Sequence, residues 1–384
     1  MNWALTGNPT FTALIAIGIA NHTVLTGSRV TVTLDALRFG ASTATVGVLL
    51  ALYAIVPTLC AVAAGRLSDR IGVRRPMLVG SIFIGTGAAL PALFPGLTTL
   101  FIGAPVVGTG FMLFQVAVQN ATGEMGGPMS RAHNFSVLAL GYSISGLLGP
   151  LIAGYTIDHA GFTATFAVLA VIPLIPIAVL ARGMRALPGP HPAHRSANAG
   201  NVMELLTHKQ LRPVFLVNVL LAIGWDVHTI VIPIYGAKIA LTASQIGLIL
   251  ASFAAATFIV RLAMRWIIRR FTEREVLTIA LFSAGLVYLL FPFSHTAGTL
   301  MVLSFCLGLG LGMSQPMVLS LLHSHAPPGR MGETVGVRVS LVNSMSVAVP
   351  LAFGAVGATV GLTPVFWSVG LCLATGGWLT KRAA

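Results

Sequence analysis

Apolar runs of about 20 residues, cut by short polar breaks, decide what this chain can become. They lie near 11–34, 43–65, 76–94, 99–121, 132–156 and 162–181, then near 211–236, 243–266, 274–294, 298–322, 332–357 and 361–380. Hydrocarbon offers no partner to a free backbone N–H or C=O, and the runs lack the period-two alternation of barrel strands. Each is therefore read as a helix. The expected fold is an all-α membrane protein with twelve transmembrane helices. Hydrophobic residues make up 56% of the chain and mean hydropathy is +0.91, against roughly 45–50% apolar usage in soluble domains.

A net charge of +13 would suggest an anionic partner in a soluble protein, so its placement decides its meaning. Between the sixth and seventh runs lies a Pro-, His- and Arg-rich stretch too polar to cross a membrane. With this linker and both termini in the cytoplasm, every Lys and Arg falls inside except Arg29, Arg38 and Lys238. That asymmetry is the positive-inside rule. The basicity reads as topology, with the lipid bilayer as partner and no nucleic acid. The N-terminus, MNWALTGNPT, has no basic n-region, so the first span is expected to be retained. Cys60, Cys306 and Cys372 fall within apolar runs and are read as packing residues rather than disulfide partners or metal ligands.

The two halves repeat at a fixed offset of 200 residues. Gly47 pairs with Gly247, Leu50 with Leu250, Arg70 with Arg270, Gly108 with Gly308, Gln115 with Gln315, Pro150 with Pro350, Gly154 with Gly354 and Gly161 with Gly361. Two parallel six-helix bundles follow, residues 1–181 and 211–384, joined by the linker 182–210 and related by an axis along the membrane normal. A cavity between such halves suits alternating access.

The loop GRLSDRIGVRR between spans two and three resembles motif A of the major facilitator superfamily (MFS) through Gly65, Leu67, Asp69, Arg70 and Gly72, with Arg74 and Arg75 displaced by one residue. The resemblance implies an MFS secondary transporter in which Asp69 latches the halves near the start of span eleven, where Arg330 and Arg338 lie. Gly65, Asp69, Arg70, Gly72 and Arg74 are the expected latch, with Gly65 allowing helix ends to approach and Gly72 a tight turn. Span five is similar to the Gly-Pro-rich motif of drug/proton antiporters through Gly146, Gly149, Pro150 and Gly154, although Ser145 and Ala153 replace glycines. Gly149, Pro150 and Gly154 read equally as helix-packing residues. Span four carries Ala104 where many proton-coupled members have an arginine, so coupling would need other groups.

Ionisable residues inside a span cost roughly 2.5–3.5 kcal/mol on insertion scales and are functional candidates by default. Asp226, at mid-span seven beside Trp225, is the leading proton carrier, since a carboxylate removed from water favours its neutral form. His228 and His22 are further proton-coupling candidates, and His22 reads equally as a packed, hydrogen-bonded residue. Asn21 and Arg29 in span one, Gln115 and Gln315 at matched positions, Trp225 and Asn343 are the candidate substrate-cavity residues.

No nucleotide-binding loop, zinc spacing or nucleophilic triad is present, which argues against an enzyme or an ATP-driven pump, with no cofactor and no metal expected. The preferred reading is a secondary active transporter of the plasma membrane, in a bacterial inner membrane, exporting a small molecule against protons as a monomer. Proton-coupled or facilitative uptake of a small organic anion stays open. So does a receptor or assembly protein on the same fold.

Overall fold

Lipid leaves helix as the way to satisfy each apolar run, and the computed structural model is built of helices throughout its described residues. It describes residues 9–125, 131–184, 187, 189, 202–327 and 330–382. The first half contains α1 (Pro9–Arg38), α2 (Thr43–Ile71), α3 (Arg74–Leu93), α4 (Leu97–Glu124), α5 (Arg131–Val171) and α6 (Leu174–Ala181). A short helix, α7 (Val202–Thr207), precedes the second half: α8 (Leu211–Lys238), α9 (Ala243–Ile267), α10 (Glu273–Leu290), α11 (Ala297–His325), α12 (Met331–Thr359) and α13 (Leu362–Arg382).

Among the described residues 11 stretches are long and apolar enough to cross a membrane, and one of them, His133–Ala181, has 49 residues. At roughly 1.5 Å per residue that is about twice the hydrocarbon thickness. The chain breaks it at Gly161, whose φ of 79° is left-handed, and again before α6. Spans five and six are therefore two crossings, and twelve result.

The repeat is visible in the backbone. Gly161 and Gly361 both take left-handed φ, at 79° and 87°. So do Gly40 at 76° and its mate Ala240 at 59°, although an alanine there carries the strain that glycine avoids. Packing repeats too: α1 lies on α5 and α3 on α4, as α8 lies on α12 and α10 on α11.

The contacts divide the chain into two units. Unit 1 holds Met1–Gly40, Leu52–Arg195 and Thr242–Gly247, and unit 2 holds Ala41–Ala51, Ser196–Leu241 and Leu248–Ala384. Each half thus gives the first turns of one helix to the other unit. Unit 1 is filled by Phe11, Leu14, Met77, Phe114, Val118 and Leu138. In unit 2, Tyr288, Phe291 and Phe366 are fully buried and their rings lie together. The cysteines differ from the expectation of packing: Cys60, Cys306 and Cys372 are all exposed on helix surfaces, where hydrocarbon accepts a thiol as readily as a core does.

Candidate functional site

Polar side chains inside the spans need partners that the membrane cannot supply, and those partners show how the candidates are held. In unit 1, Asn21 is fully buried and its Nδ2 donates to Ser81 Oγ at 2.8 Å. At the next residue of α1, the His22 Nδ1 meets Ser145 Oγ, with the ring between Tyr142 and Phe111 at centroid distances of 4.7 and 5.3 Å. Thr26 donates to the Ser145 carbonyl at 3.1 Å. These bonds need α5 close to α1, and Gly149 provides that: a methyl group there would lie 2.7 Å from the Thr23 carbonyl and 2.8 Å from the Gly27 nitrogen. Asn21 Oδ1 and the Tyr142 hydroxyl are buried with no hydrogen-bond partner, so this pocket has acceptor and donor capacity left over.

Arg29 lies two turns beyond His22 and is half-buried. No carboxylate of the described residues pairs with it. Asp35, on the same helix, is taken by Arg38 at 2.7 Å. Tyr53, buried, donates to Ser28 Oγ at 3.2 Å beside it.

In unit 2, α8 carries a polar string of its own. Asp226 is 8% exposed and Ser346 on α12 donates to its Oδ2 at 3.0 Å. His228 is completely buried; its Nε2 meets Ser304 Oγ at 3.0 Å and its ring stacks on Phe253 at 4.4 Å. Trp225 meets the same Phe253 edge-on at 4.8 Å. The Tyr288 hydroxyl donates to the Gly224 carbonyl, closing the pocket on the α10 side. Arg338 donates to Asn218 Oδ1 at 3.0 Å, and Arg261 to Gln315 Oε1 at 3.4 Å. Gln115 and Asn343 are half-buried and Gln315 is exposed.

The structure therefore brings Asn21, His22 and Arg29 onto one helix in unit 1, and Trp225, Asp226 and His228 onto one helix in unit 2. The serines at 81, 145, 304 and 346 that bond Asn21, His22, His228 and Asp226 are partners that sequence reasoning did not assign. Serine is common in membrane helices as a small residue, and nothing in the spacing separates these from others.

The motif A residues are placed in part. Gly72 has φ of 80°, which fits the tight turn. Gly65 has room: a methyl group there would come no nearer than 3.9 Å to Val116. Arg70 is exposed. Arg74 caps span six, with Nε on the Leu180 carbonyl at 2.8 Å and Nη2 on the Ala181 carbonyl at 3.0 Å. The Asp69 side chain lies outside the described residues. Arg330, expected beside it, pairs with Glu204 of α7 and with Glu333, both at 2.7 Å. Those two carboxylates, Glu333 first, hold the Arg330 guanidinium above its ordinary range. Gly154 lies against the Ala243 carbonyl, and Gly247 against the Pro150 carbonyl.

This architecture and chain match known transporters. A family model described as Major Facilitator Superfamily matches residues 10–215 and 214–382. The chain is 24% identical to the uncharacterized MFS-type transporter YuxJ of Bacillus subtilis over 83% of each chain. It is 28% identical to the class G tetracycline resistance protein of Vibrio anguillarum, over 85% of this chain and 84% of that one. The multidrug efflux pump LfrA of Mycolicibacterium smegmatis is 29% identical, over 35% of this chain and 27% of its own length. A crystal structure of a POT family transporter with a thioalcohol-conjugated peptide superposes with a TM-score of 0.82 at 14% identity, covering 98% of this chain and 96% of that one. That last likeness concerns the fold alone. A multi-span membrane protein with these helices, this repeat and these relatives is a transporter rather than an enzyme, and the chain belongs to the Major Facilitator Superfamily.

Proposed function

We propose that this transporter exports a small molecule in exchange for protons, by alternating access, with both termini and the 182–210 linker in the cytoplasm of a bacterial cell. The observation that carries the proton step is Asp226: a carboxyl group at mid-span in α8, 8% exposed, oriented by a neutral hydroxyl on α12. Loading a proton on that carboxyl and releasing it to water changes both the charge of the pocket and the bond to Ser346. His22 and His228, each on a serine, are the secondary proton-carrying groups. Asn21, Arg29, Gln115, Trp225, Gln315 and Asn343 are assigned to substrate. Export is supported by relatives named for tetracycline resistance and multidrug efflux.

The test uses the full chain in proteoliposomes with labelled tetracycline as first cargo. An imposed pH gradient is expected to drive accumulation, and Asp226→Asn to abolish that response while leaving cargo exchange at equal pH. Unchanged gradient-driven flux in Asp226→Asn rejects the proton role.

One observation favours uptake of a small organic anion as the second reading: the half-buried Arg29 meets no carboxylate among the described residues. An intramembrane cation without a counter-ion is costly unless a ligand supplies one. Direction-resolved flux separates the two readings.

A further inference from the structure

The first four N–H groups of a helix have no acceptor within it, and in α9 all four are satisfied. Thr242 and Gln245 form a reciprocal pair: the Gln245 amide donates to Thr242 Oγ1 at 3.2 Å, and the Thr242 amide donates to Gln245 Oε1 at 3.0 Å. This is a capping box built from local sequence. It leaves the amides of Ala243 and Ser244. Asp158, near the end of span five, takes both: Oδ1 accepts from Ala243 at 3.0 Å and Oδ2 from Ser244 at 2.7 Å. A carboxylate at a helix N-terminus also meets the positive end of the helix dipole.

The repeat supplies an internal control. At the matching crossing in unit 2, α2 starts with the same kind of cap, the Thr45 amide donating to Ser42 Oγ at 3.2 Å. Asp158, however, is matched by Ala358. What joins α2 to α12 there is a neutral bond from the Thr43 hydroxyl to the Gly354 carbonyl at 3.2 Å. The close backbone contacts are otherwise alike, with Gly247 on the Pro150 carbonyl and Gly47 on the Pro350 carbonyl. Since α2 forms a regular helix without a carboxylate from another helix, α9 does not need Asp158 in order to fold. The two charge-assisted bonds instead hold α5 to α9, which come from different repeats.

We propose that Asp158 is a charged latch that joins the end of span five to the first turn of span eight and must release once in each transport cycle. The crossing at Thr43 and Gly354 slides without such a constraint. The proposal rests on the transport reading only for the statement that the latch opens during turnover. Rocking of one repeat against the other requires any bond between their helices to break or shear, and two carboxylate bonds make this one the slower to part.

The test is a distance measurement by pulsed electron spin resonance on the full chain in lipid nanodiscs. Spin labels go on Tyr155→Cys and Leu248→Cys, both exposed positions, with Cys60, Cys306 and Cys372 changed to Ser. Loss of a cap of this kind is expected to raise the share of the long-distance population by roughly fivefold in Asp158→Ala. Asp158→Asn retains one acceptor oxygen without charge, so its distribution is expected to fall between Asp158→Ala and the parent. Thr43→Val is expected to leave this pair of labels unchanged. Distributions of both Asp158 variants that superimpose on the parent overturn the latch. So does a Thr43→Val shift as large as that of Asp158→Ala. A shift in the Asp158 variants of a protein that moves no cargo leaves the latch standing and refutes the transport reading.

Discussion

Where α3 crosses α4, Gly80 and Gly110 meet with no side chain between them, and this contact gives the sharpest test of the packing argument. A methyl group at Gly110 would fall 2.6 Å from the Gly80 carbonyl oxygen, 2.7 Å from Phe83 Cβ and 2.8 Å from the Ile84 nitrogen. One at Gly80 would fall 2.5 Å from the Gly110 carbonyl oxygen and 2.8 Å from the Phe114 nitrogen. Ordinary contact begins at 3.4 Å, and the obstructing atoms are mostly backbone, so the helices must separate by roughly 0.6–0.9 Å along the contact. Overpacking of this kind costs about 1–3 kcal/mol, offset by up to about 1 kcal/mol from the better helix propensity of alanine. Gly110→Ala is therefore expected to lose about 1–2 kcal/mol, read as a fall of several degrees in the melting temperature of the detergent-solubilised protein. The two positions share one contact, so Gly80→Ala with Gly110→Ala should cost less than the sum of the singles. Gly298→Ala is the control, because no atom lies within 4 Å of the added methyl group. A Gly110→Ala protein that melts with the parent, or a double variant that is strictly additive, refutes the reasoning.

Arg74→Gln removes two bonds to the last carbonyls of α6 and is expected to cost about 1 kcal/mol, measured by the same melting assay, with Arg74→Lys recovering only part because a single ammonium lacks the forked geometry. For the Asp158 contact, partial burial pushes the carboxyl up, but bonds from Ser244, Ala243 and Thr242 outweigh it and leave it below the usual carboxylate range. A depressed value means that the contact contributes stability above the unfolded carboxyl value and loses it as pH falls through the folded one. The spin-label distances should thus be flat from about pH 5 to pH 8.

Hydropathy and the offset repeat carried most of the architecture, because lipid imposes one solution on each apolar run. The pairing of Gly161 with Gly361 was visible as sequence identity, whereas the pairing of Gly40 with Ala240 was not, since the shared left-handed turn lies in the backbone. Depth along a span pointed to Asn21, His22, Asp226 and His228, because polar residues stand out against apolar neighbours. Their partners Ser81, Ser145, Ser346 and Ser304 were hidden, since a hydroxyl that bonds across helices has the same sequence signal as one that bonds its own turn. The linker reads as a polar spacer, and within it Glu204 reaches Arg330 at the start of α12, a contact between residues whose sequence separation is 126 and which no local pattern announces.

The positions that agree between the halves and those that disagree do different work. Glycines and prolines agree: Gly108 lies against the Tyr53 carbonyl and Gly308 against the Phe253 carbonyl, and Gly47 and Gly247 each lie against a proline carbonyl. These set how closely helices pass, which both halves need equally if one is to rock against the other. Chemistry-bearing positions on α1 and α8 disagree. Thr26 bonds the Ser145 carbonyl where its mate Asp226 accepts from Ser346. Ser28 bonds Tyr53 where His228 stacks on Phe253, and Arg29 is matched by Thr229. Among these matched positions the cation, Arg29, lies in the first half and the acid, Asp226, in the second. Two chemically identical halves would treat a proton and a substrate alike. Unlike residues at matched sites let protonation change the free energy of one half without the other, and a differential of that kind is what a coupled transporter needs.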